Sequence, residues 1–153
     1  MTTIKNTNKS SIILATESLE EGNLVSFPTE TVYGLGGDAT NNLAIAKIFE
    51  TKNRPEFNPL IIHFASFDQI EENCEINDDI KKLNDLFWPG PMTIILKKKK
   101  ESKISNLASA NLDTIGVIHF WDLLGSTRGV RGLESCISAS FCFANVPERK
   151  YQL

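Results

Sequence analysis

The ten residues FPTETVYGLG at positions 27–36 constrain this chain more than any other segment. A short apolar run ends at Phe27, and Pro28 then removes the N–H that a strand ladder needs. Thr29, Glu30, Thr31, Tyr33, Gly34 and Gly36 follow at once. A hydrophobic core has no use for that mixture. A hydrogen-bonded loop at a sheet end would use it, and so would the floor of a pocket whose hydroxyls orient the ammonium and carboxylate of an amino acid.

The surrounding pattern predicts an α/β domain. Ser10 or Ser11 caps a helix that runs to about Glu21, with Ile12, Ala15 and Leu19 on one face. Residues 24–27 read as a buried strand. Asn41 or Asn42 opens a second helix, striped by Ala44, Ile45, Ile48 and Phe49. Residues 60–64 form a strand, Ser66 and Gln69 a capping box, and Asn77 the start of another helix. Strands at 92–96 and 114–117 follow. At 153 residues the chain suits one domain with a real core.

Charge and cysteine usage exclude several classes. The net charge of −3 gives no overall basic field. It is unevenly spread, with 7 Lys/Arg against 14 Asp/Glu in residues 1–90 and 9 against 5 thereafter. Lys97, Lys98, Lys99, Lys100 and Lys103 make much of the later excess. Such a run is in general a solvated strand end, with an RNA-facing patch as the minority reading. Three cysteines without a CxxC pair argue against a metal or disulfide framework and for a reducing cytoplasm. The apolar run at 12–15 is too short for a signal peptide or a membrane span.

Several motifs carry candidate chemistry. GLGGDA at 34–39 matches G-x-G-x-x-A in form. It lacks a strand leading straight into the first glycine and an acid about twenty residues later, so a dinucleotide site is rejected and the glycines are assigned to a turn. There is no phosphate-binding P-loop and no nucleophile elbow. Lys52 and Arg54 sit at a helix end, where cations are favourable in any case. Pro55 and Pro59 stiffen the loop that presents Arg54 and Asn58, an arrangement suited to phosphate or carboxylate. His63 shares a strand face with Ile61, and no second histidine or acid stands at zinc spacing. WPGP at 88–91 reads as an architectural turn.

Taken together, FPTETVYGLG, K-x-RP, NPLIIH and FWPGPMTIIL resemble the YrdC-type threonylcarbamoyl-AMP synthase family, in the family's order and spacing, from about Ser11 to Val117. The resemblance implies a twisted, mostly open sheet flanked by helices around a positively lined cleft. It implies synthesis of threonylcarbamoyl-adenylate and pyrophosphate from L-threonine, bicarbonate and ATP, with Mg2+ on the ATP phosphates and no tightly bound protein-ligated metal. The product would feed threonylcarbamoyl modification of tRNA through downstream modification proteins. Carried over by position, Thr31 and His63 would contact and enclose threonine, and Thr29 and Tyr33 would shape the floor. Arg54 and Asn58 would hold ATP, and Lys52 would add positive charge. None of these is a covalent nucleophile. Catalysis would come from positioning and charge neutralisation.

The resemblance changes after Val117. Family members continue with an arginine and a proline and later reach a Ser-Ala-Asn stretch, whereas Ile118, His119, Phe120 and Trp121 follow here. Residues 1–117 are therefore read as the YrdC-like domain and 118–153 as a divergent tail, the product of a frameshift or a decayed gene. Strands that complete the sheet are expected to be missing, with marginal stability as the result. Two other readings stand beside the synthase: a module that binds tRNA or double-stranded RNA through the cleft and the lysines at 97–103, and a fragment without activity.

Overall fold

Asparagine and serine side chains start the helices. The computed structural model describes residues 3–6, 8–28, 33–119 and 141–145. Helix α1 (Lys9–Glu20) is capped by Asn8, which accepts from the Ser11 amide at 2.9 Å, so the cap lies two or three residues before the expected Ser10 or Ser11. Asn41 caps α2 (Asn42–Lys52), accepting from the Leu43 and Ala44 amides. Ser66 caps α3 (Phe67–Asn73) by accepting from Gln69 N, while Gln69 Oε1 reaches back to Ala65 N at 3.1 Å. Asn77 caps α4 (Asp78–Phe87). Each cap satisfies an amide that the first helical turn leaves without a partner.

Among the described residues six strands form one sheet: β1 (Val25–Pro28), β2 (Tyr33–Asp38), β3 (Ile61–Phe64), β4 (Ile94–Lys97), β5 (Thr114–His119) and β6 (Phe141–Asn145). Their order is β1-β2-β6-β3-β5-β4. β3 and β5 pair in parallel, and every other neighbouring pair is antiparallel.

Two of these strands depart from the sequence-based expectation. Gly34, Gly36 and Gly37 lie in β2, not in a turn. Gly37 is required by packing: a Cβ there would stand 2.9 Å from Leu24 Cδ2 and 3.2 Å from Ile48 Cδ1. The glycine lets α2 approach the sheet closely. The second departure is β6. It comes from the segment set aside as a tail, yet it lies in the middle of the sheet, and its Cys142 pairs with Gly37 on one side and Ile62 on the other. The strand read as ending at Val117 also runs on to His119.

The core lies on one face of the sheet. Ile62, Phe64, Ile115 and Val117 meet Ile45, Ile48 and Phe49 of α2 and Ile70 of α3 there, all almost fully buried. The turns at 104–112 complete it. Ser105 N donates to Ala39 O at 2.9 Å, and Leu60 N donates to Ala108 O at 2.9 Å. Buried Asn73 ties α3 to the turn after β4, donating to Gln69 O and accepting from Ser102 Oγ and Lys103 N. The WPGP turn is held by Trp88 Nε1 donating to Met92 O at 2.7 Å and Gly90 N donating to His119 O at 3.0 Å.

Two substitutions test this packing. Cys142→Pro removes a ladder donor from an internal strand and is expected to cost about 3 kcal/mol or more, read as a large drop in the urea midpoint. Gly37→Ala pushes a methyl against Leu24 and Ile48 and is expected to cost about 1–3 kcal/mol in the same assay.

Candidate functional site

Strand alternation separates two faces. Ile62, Phe64, Ile115 and Val117 point into the core, so Ile61, His63, Gly116 and Ile118 lie on the other face. Register sorts that face into rows. One row runs through Asp38, position 141, His63 and Ile118; the next runs through Gly36, position 143, Ile61, Gly116 and Ile95. Ile61 is 39% exposed and Ile95 73%. An apolar, partly open surface therefore surrounds Gly116.

The loop between α2 and β3 is held by Arg54. Asn53 ends α2 in the left-handed region at φ 49°, which turns the chain out of the helix. Arg54 then donates from Nε to Asn58 O at 3.3 Å and from Nη2 to Pro59 O at 3.0 Å. Those bonds take two of the guanidinium's five N–H donors. The motif thus fixes its own loop as well as presenting charge. Lys52 is half-buried, and burial followed by the nearby Arg54 charge lowers its pKa. The Arg54 bonds run to the backbone of Asn58, whose side chain is exposed.

His63 differs from these cations. It is half-buried on β3, and burial holds its pKa down at about 4, so the ring is neutral at pH 7. A neutral ring there offers a ligand hydrogen bonding and shape, not charge. Cys74 is fully buried, and burial pushes its thiol up to about 12, which leaves it inert as a nucleophile.

The residues singled out in the sequence separate into two ends of the sheet. β2 and β3 are both antiparallel to β6, so they run parallel to each other. Tyr33, exposed at the start of β2 and paired with Pro28, lies at the same sheet end as the Arg54–Asn58 loop before β3. Lys52, Arg54 and Asn58 group there. His63 lies at the other end, four residues beyond Pro59, or roughly 13 Å at about 3.3 Å per residue. Thr29 and Thr31 lie outside the described residues, in the connection between β1 and β2. Ile118 stands in register with His63, so the strand places an apolar side chain beside the imidazole.

The lysine run has partners of its own. Lys97 pairs with Glu75 at 3.0 Å, Lys98 donates to Asn106 Oδ1, and Lys99 donates to Glu71 O. Among the described residues no group of three His, Cys, Asp or Glu is placed to hold a metal ion, and no helix is long and apolar enough to cross a membrane.

Comparison with known proteins gives this face a context. The Sua5/YciO/YrdC family, described as Telomere recombination, matches residues 17–119. The chain belongs to this family. A threonylcarbamoyl-AMP synthase of Pyrococcus abyssi is 47% identical over 107 residues, which cover 69% of this chain and 31% of that protein. One from Bacillus subtilis is 43% identical over 112 residues, covering 72% of this chain and 32% of that protein. The chain thus spans about a third of the length of these Sua5/YciO/YrdC relatives. Among solved structures, P. abyssi Sua5 complexed with L-threonine superposes with a TM-score of 0.75 at 36% identity, over 92% of this chain and 39% of that one. The H234A/Y235A variant of the same protein gives 0.76 over 92% and 41%.

Sequence reasoning placed Ile61 on the face of His63 but gave no part to Thr93 or Gly116. A glycine inside an otherwise apolar strand was the available signal.

The depressed His63 pKa sets a pH dependence. Between about 4 and the ordinary 6.5 the unfolded chain binds a proton that the native ring refuses. This contribution to stability is therefore complete above 6.5 and is lost as pH falls toward 4. Its size is on the order of 3 kcal/mol at most. His119, also lowered mainly by burial, acts in the same direction. The urea midpoint is expected to fall between about pH 7.5 and pH 5, and His63→Gln to flatten that slope.

Proposed function

We propose that the chain forms threonylcarbamoyl-AMP and pyrophosphate from L-threonine, bicarbonate and ATP. The observation that carries this reading is the pair of cations at one end of the sheet. Arg54 is clamped to the Asn58 and Pro59 carbonyls, and Lys52 lies within its electrostatic reach. Two like charges, one at the end of α2 and one on the stiffened loop after it, raise each other's energy until an anion joins them. A triphosphate is such an anion, and the donors of Arg54 not spent on the loop are available to it. The relatives' names and the threonine complex of P. abyssi Sua5 support the choice of substrates.

In this scheme the threonine amine attacks the carbon derived from bicarbonate, water is lost, and a carbamate results. A carbamate oxygen then attacks the α-phosphorus, and the bond to pyrophosphate breaks. Lys52 and Arg54 neutralise charge on the phosphates as pyrophosphate leaves, and the Asn58 amide helps to hold the nucleotide. Thr29 and Thr31 of the β1–β2 connection and Tyr33 at the start of β2 orient the amino acid, and neutral His63 encloses it. Ile118 supplies no charge beside His63, so the anionic groups depend on the Arg54 end. Mg2+ enters with the ATP phosphates. The threonylcarbamoyl group is then transferred to tRNA, with release of AMP, by downstream modification proteins in the cytoplasm.

The test is release of pyrophosphate from ATP, with L-threonine or bicarbonate omitted in turn. Release that requires both is expected. Arg54→Ala should lower kcat/KM about 100-fold, close to 3 kcal/mol of transition-state stabilisation. Arg54→Lys should rescue little, because an ammonium cannot span both carbonyls and a phosphate. Release that is indifferent to threonine sinks the reading.

A further inference from the structure

Gly116 lies in β5, inside the sheet, between Ile61 of β3 and Ile95 of β4. A glycine there weakens a strand unless something requires it. The backbone does not, since its φ is not in the left-handed region. Packing does not either. A Cβ at Gly116 would meet Thr93 Cγ2 at 3.6 Å and Ile61 Cγ1 at 3.7 Å, which is ordinary van der Waals contact. This contrasts with Gly37 and with Gly90, where a Cβ would stand 2.4 Å from Phe87 O. The protein keeps a bare backbone at a position its own fold leaves free to carry a side chain.

The position gives that bareness a use. Gly116 sits on the face shared with His63, one row nearer the Arg54 end. A ligand that touches both the imidazole and the cationic loop must cross this row. Its walls are a methylene of Ile61 and the methyl of Thr93, both from exposed residues. A small branched side chain would find two apolar contacts and a floor without a Cβ.

We propose that Gly116 is a specificity-determining residue, which with Ile61 and Thr93 forms the trough that receives the side chain of the amino-acid substrate. This rests on the synthase reading above. The trough selects by depth: glycine at 116 admits a β-branched amino acid, and each carbon added there excludes it in favour of smaller ones.

Calorimetric titration of the full chain with L-threonine and with free glycine, both in the presence of ATP, tests this in the wild type, Gly116→Ala and Gly116→Val. The expected result is a several-fold loss of threonine affinity in G116A and at least a tenfold loss in G116V. Glycine affinity should change less, ATP affinity should stay the same, and the urea midpoint should be unchanged or raised. If G116V does not fold, the G116A comparison decides. Threonine binding in folded G116V, or failing that in G116A, equal to that of the wild type overturns the assignment of Gly116 and leaves the synthase reading standing. A wild-type chain that binds ATP but no L-threonine overturns both.

Discussion

The backbone ladder of β6 joins two part-sheets that would otherwise have no contact within the sheet. On one side is the β1–β2 hairpin; on the other is the β3–β5–β4 unit. β6 pairs with β2 through five residues and with β3 through three. Because it is antiparallel to both, it makes β2 and β3 parallel and brings the connection before β2 to the same end as the loop before β3. The grouping of Tyr33 with Lys52, Arg54 and Asn58 is therefore a consequence of β6. A segment that carries none of the recognisable motifs decides where the motifs stand relative to one another.

At that end Arg54 does two jobs that conflict energetically. Its bonds to the Asn58 and Pro59 carbonyls order a loop with two prolines, which reduces the entropy left to lose on binding. The guanidinium held there also repels Lys52, which costs electrostatic energy in the free protein and adds to burial, the larger cause, in lowering the Lys52 pKa. A site selected for stability alone would place an acid there. Retaining two cations beside each other makes sense when an anion is the missing partner, because the repulsion turns into attraction on binding.

What could be read from the sequence divides along physical lines. The helices were legible because Asn41, Ser66 and Asn77 bond to amides only a few positions away. Strands β1, β3, β4 and β5 were legible as apolar runs. β2 was not, because Gly34, Gly36 and Gly37 have low strand propensity and are tolerated only through tertiary contacts; the packing of α2 against Gly37 is such a contact. β6 was hidden for a related reason. Its role depends on pairing with residues more than seventy positions away, and no local pattern reports that. In the candidate site, the residue types at Lys52, Arg54, Asn58 and His63 were readable. The spread along β3 was not, nor was the use of Arg54's donors on its own loop, since both depend on register and on side-chain direction.

That spread gives the open face a polarity. The Arg54 end carries fixed positive charge. The His63 end carries a neutral ring, the apolar Ile118, and the walls made by Ile61 and Thr93. A ligand charged at one end and partly apolar at the other has a single favourable orientation across it, because reversing it would set its charge against apolar groups.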